Sequence, residues 1–177
     1  MQLDKVKSLP KKLLENIDEV ERLSVYLVQD YSNQFLRRLV DFGENIFGEL
    51  GMDEWGLVPQ IRHGNVYVLK EEDKKPIFGL AILMRDWEDA DKVYLFDYAI
   101  IEALQGKKLG YNFLKVIVRN IKEQGFKRMG LTVDIENEPA INLYKKIGFK
   151  ILEMSEDEYG KSHDRYIMEL EFDGVNF

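Results

Sequence analysis

Apolar positions in this chain follow two periods, and the places where one gives way to the other outline its elements. Leu13, Leu14, Ile17 and Val20, after Pro10, fall at helical spacing, so a helical extension is expected over residues 1–22. Ser24–Gln29 is dense in β-formers and reads as a strand. Ser32 is placed to cap a second helix carrying Phe35, Leu36, Leu39, Val40, Ile46, Phe47 and Leu50, which Gly43 and Gly48 are expected to break into two pieces. Residues 51–64 mix Gly, Pro, acids and Trp55 without a period, as a surface binding loop or a short irregular helix does.

From Asn65 the pattern changes. Three β-rich runs, 65–70, 76–84 and 92–101, are separated by charged turns and predict an antiparallel meander. Leu109, Phe113, Val116, Ile117 and Ile121 then recur at three- and four-residue intervals and stop before Gly125, which predicts a helix. Arg128–Val133 reads as a short buried strand. Asn137 as a cap and Pro139 in the first turn open a further helix that ends at Gly148. Strand, helix, strand, helix implies a parallel pairing. Lys150–Met154 and Tyr166–Phe172 add two strands around a polar, hairpin-like connection. The class is α/β with a mixed sheet, and no repeat or linker divides residues 1–177 into more than one domain.

Composition narrows the chemistry. The chain has 177 residues, 45% of them hydrophobic, enough for one continuous core. Its 25 Lys and Arg stand against 32 Asp and Glu, a net charge of −7, which weighs against nucleic acid as a partner. With no cysteine, disulfides, thiolate metal sites and a cysteine nucleophile are excluded, and His63 and His163 lack metal-ligand spacing. No stretch has the length and apolarity of a signal peptide or a membrane span, so a cytoplasmic protein without a membrane partner is expected.

The segment Gln105, Gly106, Lys107, Lys108, Leu109, Gly110 lies between a strand and the most regular helix. Backbone N–H groups and the helix dipole can receive a phosphate there, and two lysines add positive charge. It matches neither Walker A nor the three-glycine dinucleotide fingerprint, and an ordinary turn is the competing reading.

Asn137, Ala140, Leu143, Tyr144, Gly148 and Phe149 follow in the order N-x-x-A-x-x-L-Y-x-x-x-G-F after the strand ending at Val133. Together, the two segments resemble the GNAT superfamily of N-acetyltransferases, whose acetyl-CoA site joins a Q/R-x-x-G-x-G/A loop to such a helix. The resemblance is close over Asn65–Phe172 and rests on element order before that. It implies a mixed, mostly antiparallel twisted sheet with helices on both faces and a central parallel strand pair. It also implies acetyl-CoA as co-substrate, held at its diphosphate by Gln105, Gly106, Lys107, Lys108, Leu109 and Gly110. Main-chain groups of Tyr98, Ala99 and Ile100 would meet the pantetheine, an N–H near Ile100 would polarise the thioester carbonyl, and Asn137 would lie beside the pantetheine arm. Lys108 stands where the family usually has the central glycine, which implies altered CoA affinity rather than loss of binding.

By the same resemblance, Tyr144 lies near the thioester sulfur, where its phenol can protonate the leaving thiolate; the competing reading is an aromatic packed on a helix face. Tyr94 and Asp97 are the two candidates for a base on the preceding strand, with Asp97 acting through water preferred, because Phe96 stands where relatives often carry Glu or His. A structural hydrogen-bond acceptor is the alternative for Asp97. Glu44, Glu49, Asp53 and Glu54 around Trp55 can draw a cationic acceptor or form a solvated acidic face. The implied activity is acetyl transfer to a primary amine of a small molecule or peptide in a ternary complex, with the oligomeric state left open and a homodimer among the assemblies allowed. The alternative is a non-catalytic acyl-CoA-binding module.

Overall fold

The computed structural model describes residues 15–18, 22–72 and 76–175. Its elements run β1 (Glu15–Asp18), β2 (Leu23–Leu27), α1 (Asn33–Phe47), α2 (Glu54–His63), β3 (Asn65–Glu71), β4 (Ile77–Arg85), β5 (Lys92–Ile100), α3 (Leu109–Glu123), β6 (Arg128–Asp134), α4 (Glu138–Ile147), β7 (Lys150–Ser155) and β8 (Arg165–Glu171). Eight strands form one sheet in the order β1-β2-β3-β4-β5-β6-β8-β7. Every pairing is antiparallel except β5 with β6.

Both sheet faces are covered. On one, Phe113, Ile117 and Ile121 of α3 and Ile141, Tyr144 and Ile147 of α4 pack on alternate residues of the strands. On the other, Leu36, Leu39 and Phe42 of α1 and Leu57 and Ile61 of α2 pack on Val66, Val68, Leu80 and Ile82. Each fully buried side chain of this size contributes on the order of 1.5–3 kcal/mol relative to exposure.

Three expectations from the sequence are corrected in whole or in part. Ile17, read as part of a helix, lies in β1, because residues 15–18 pair with β2; the rest of the expected 1–22 helix, apart from Arg22 and the first residues of that strand, lies outside the described residues. Of the two glycines expected to break the second helix, Gly43 lies inside an unbroken α1, whereas at Gly48, φ 61°, the helix does end and a turn of 3-10 helix, Gly48–Leu50, follows. The glycine that the close packing here requires is Gly51 on the returning chain, since a Cβ on it would come within 2.9 Å of the Glu44 nitrogen and the Gly43 carbonyl carbon. The segment around Trp55 is a regular ten-residue helix despite Pro59. The Asp53 carboxylate accepts from the Gly56 N–H at 2.9 Å and starts it, while Leu57 and Ile61, four residues apart, anchor it to the sheet.

Candidate active site

The site begins where two parallel strands part. β5 and β6 pair over three residues only, Lys92–Tyr94 against Arg128–Gly130. Ion pairs hold that closed end: Lys92 with Glu169 at 2.9 Å, Lys127 with Asp91 at 2.7 Å, and Arg128 with Asp89. Beyond Tyr94, β5 keeps β4 on one side and has no strand paired on the other among the described residues. A wedge opens there.

A bulge sets what faces it. Ile82 pairs with Asp97 and Leu83 with Leu95, so Phe96 is the extra residue. Before it, odd-numbered Val93 and Leu95 enter the α3/α4 core; after it, Tyr98 and Ile100 do, while Ala99 joins the α1/α2 core. Asp97 shares the parity of Ala99 and turns with it to the α1/α2 side. The Ile101 N–H donates to the Phe78 carbonyl at 3.0 Å. By the alternation of an antiparallel ladder, the main chain of Ala99 is then committed to β4, and that of Tyr98 and Ile100 points into the wedge. Of the three main-chain positions named from sequence, two line it.

After a short turn of 3-10 helix, Glu102–Leu104, the chain passes through Gly106 at φ 75° and Lys108 at φ 62°, ψ 3° before α3 starts. Both lie in the left-handed region, which accounts for glycine as the favoured residue at the position of Lys108. The Gln105 side-chain amide donates to the Ile100 carbonyl at 3.2 Å, so it ties the turn to β5. α1, α2 and α4 each begin on a side-chain cap, from Ser32, Asp53 and Asn137. α3 has neither a side-chain cap bond at Lys108 nor an acid in its first turn, and its first helical bond runs from the Asn112 N–H to the Lys108 carbonyl at 3.0 Å. Its leading amides and the positive end of its dipole are left for an anion, flanked by exposed Lys107 and Lys108.

Across the wedge stands Tyr144, 7% exposed, its ring 6.4 Å from that of Tyr98 and 5.6 Å from that of Phe149. Burial, with smaller contributions from Tyr94 and Asp97, pushes its phenol well above the ordinary value, so it keeps its proton at neutral pH. Burial also lifts the Asp97 carboxyl to about 6, near the range where a carboxylate serves as a base. The Tyr94 hydroxyl bridges to Thr132 Oγ1 at 3.0 Å, and burial raises it to about 12.

A protein-family model described as the acetyltransferase (GNAT) family matches residues 26–149. The chain belongs to that family. An N-alpha-acetyltransferase of Sulfurisphaera tokodaii is 32% identical over 78 residues, 44% of this chain and 47% of that protein, so the match spans about half the length of the relative. Among solved structures, Ard1 from Thermoplasma volcanium superposes with a TM-score of 0.70 at 16% identity, covering 85% of this chain and 97% of its own. Arabidopsis thaliana Naa50, in complex with the bisubstrate analogue CoA-Ac-MVNAL, gives 0.68 at 18% identity, covering 84% and 98%.

Within this GNAT fold the remaining residues named from sequence fall into place or out of it. Asn137 accepts the Ala140 N–H at 3.2 Å through Oδ1, which leaves its side-chain NH2 for other contacts. A Cβ on Gly110 would meet the Tyr98 hydroxyl at 3.6 Å and Leu143 Cδ2 at 3.8 Å, so that glycine borders the protein interior rather than the turn's outer surface. Asp53 is a helix cap, and Glu44, Glu49 and Glu54 are exposed. His63 and His163 are exposed too, and no metal-holding group of His, Asp and Glu occurs among the described residues. The Tyr94–Thr132 bridge, the Gln105 tie and the Tyr98 hydroxyl escaped sequence reasoning. Thr132 in an otherwise apolar strand was the one available signal.

Proposed function

We propose that this GNAT protein transfers the acetyl group of acetyl-CoA to a primary amine of a small molecule or peptide by direct attack in a ternary complex. The observation that carries the reading is the wedge itself, with β5 main chain that pairs with no second strand on one wall, the start of α3 without a side-chain cap at one end, and the raised Asp97 carboxyl and buried Tyr144 phenol on opposite faces of the sheet. The turn Gly106–Gly110 takes the diphosphate, and Tyr98 and Ile100 bond the pantetheine. The Ile100 N–H polarises the thioester carbonyl.

The amine nitrogen attacks that carbonyl carbon, and the C–S bond breaks as the tetrahedral intermediate collapses. Asp97 takes the ammonium proton through water. Tyr144 gives its proton to the departing thiolate and is reprotonated from solvent, leaving an amide and free CoA thiol. The N-alpha-acetyltransferase relative, and the peptide moiety of the analogue bound by the plant protein, favour an α-amine at a peptide N-terminus as acceptor. Thiol release from acetyl-CoA against short peptides with free N-termini, polyamines and lysine tests this. Release on at least one amine is expected. Tight CoA binding with no release on any amine would instead support the non-catalytic module, which Phe96 and Lys108 favour.

A further inference from the structure

Tyr98 is the first residue after the Phe96 bulge whose side chain enters the α3/α4 face, and its phenol touches more of the site than any main-chain role requires. The hydroxyl donates to the carbonyl of Gly110, in the first turn of α3. The ring stacks on Phe113, with centroids 5.5 Å apart and planes at 28°, and meets the Tyr144 ring edge-on at 64°. The hydroxyl lies directly against Gly110, where a β-carbon would sit 3.6 Å from it, in ordinary contact. At the other end of the same turn, Gln105 Nε2 donates to the Ile100 carbonyl at 3.2 Å. The turn between them, with left-handed Gly106 and Lys108, has no side-chain cap bond at the start of α3. These two bonds, one at each end and both made to residues 98–100, tie the turn to β5, while Leu104 and Leu109 on either side of it are buried in the core.

We propose that Tyr98 is a positioning residue for acetyl-CoA: together with Gln105 it straps the diphosphate-binding turn to β5, so that the diphosphate and the thioester are gripped at a fixed separation. The inference rests on the acetyl-CoA reading above. Because the phenol acts through the turn, it matters only for ligands that carry the diphosphate. Tyr98→Phe keeps both ring contacts and removes only the bond to Gly110.

The test compares wild type and Tyr98→Phe on acetyl-CoA and on S-acetylpantetheine, which has the thioester arm but no diphosphate, with thermal melting on the same samples. The expected result is a KM for acetyl-CoA raised about three- to ten-fold, the range of one net hydrogen bond, with kcat within two-fold and no change on S-acetylpantetheine. An unchanged KM for acetyl-CoA in the folded variant, equal losses on both thioesters, or a fall confined to kcat would each overturn the proposal. If Tyr98→Phe does not fold, Gln105→Ala must show the same diphosphate-dependent split, and its absence there overturns the proposal as well. Failure of wild type to bind CoA in a titration is a separate outcome, which sinks the acetyl-CoA reading itself.

Discussion

The two ends of β5 differ in what they are built to resist. At Lys92–Tyr94 the strand is bonded on both sides and pinned by three ion pairs, one of them spanning Gly130, whose missing side chain leaves room for the Lys92 stem. From Leu95 to Ile100 it has a paired strand on one side only, is interrupted by a bulge, and is followed by a turn with two left-handed residues and a helix without a side-chain cap. A segment that breaks several local rules together, beside one that obeys them, marks where stability has yielded to ligand binding. Substitutions at the open end should therefore change turnover or affinity with little effect on stability, and those at the closed end should do the reverse.

The sharpest separation is expected from Tyr144→Phe, which retains the ring contacts with Tyr98 and Phe149. Its kcat should fall about ten- to a thousand-fold, with acetyl-CoA binding within a few-fold and the melting temperature nearly unchanged. Steady-state thiol release paired with CoA titration measures both.

Asp97 gives the comparison a pH axis. Only the carboxylate is a base, so kcat/KM should drop about ten-fold per pH unit below the carboxyl's value of about 6. Asp97→Asn should lose about ten- to a hundred-fold in activity and flatten that acidic limb. The folded carboxyl keeps its proton up to about 6, whereas the unfolded one releases it near 3.8. This group's contribution to stability is thus full below the lower value and lost as pH rises through the upper one. Asp97→Asn should accordingly melt higher than wild type at neutral pH, and melting curves at pH 4 and pH 7 that show no such change in difference would remove burial as the cause.

The closed end is probed by Lys92→Met, which leaves the mostly buried Glu169 without its partner. A loss of about 1 kcal/mol in denaturant unfolding is expected, with kcat unchanged. The smallest effect belongs to Lys108→Gly, which relieves a left-handed lysine. Stability should rise by up to about 1 kcal/mol, and CoA affinity should move by only a few-fold, since a phosphate contact is exchanged for closer backbone approach. Complete loss of CoA binding would show that Lys108 is the main phosphate ligand.

Legibility in the sequence followed the range of the forces involved. α3 was plain from Leu109, Phe113, Val116, Ile117 and Ile121, and α4 from Asn137 and Gly148, because periodicity and capping are local. The turn Gln105–Gly110 was singled out by its place between a strand and a helix and by its lysines, and Tyr144 by resemblance. Ile17 misled because its helical spacing is outweighed by pairing with β2, a contact that spacing cannot report. Gly43 misled because a single glycine costs a helix only about 1 kcal/mol, which the burial of Leu39 and Phe42 beside it outweighs. The bulge at Phe96 left no mark at all. Alternation along 92–100 gives two self-consistent phases, and only the register against β4 shows that the strand uses both.

That bulge makes β5 more sensitive to counting than to spelling. Phe96 is the residue left over, so deleting it would restore a single phase in which Leu95, Tyr98 and Ile100 still face α3 and Asp97 still faces the other side. Deleting a paired residue after it, such as Ala99, would instead turn Ile100 away from α3 and pull the turn that follows out of place. Two one-residue deletions three positions apart should therefore differ more in their effect on the site than most replacements do, much as a skipped rest harms a melody less than a skipped beat.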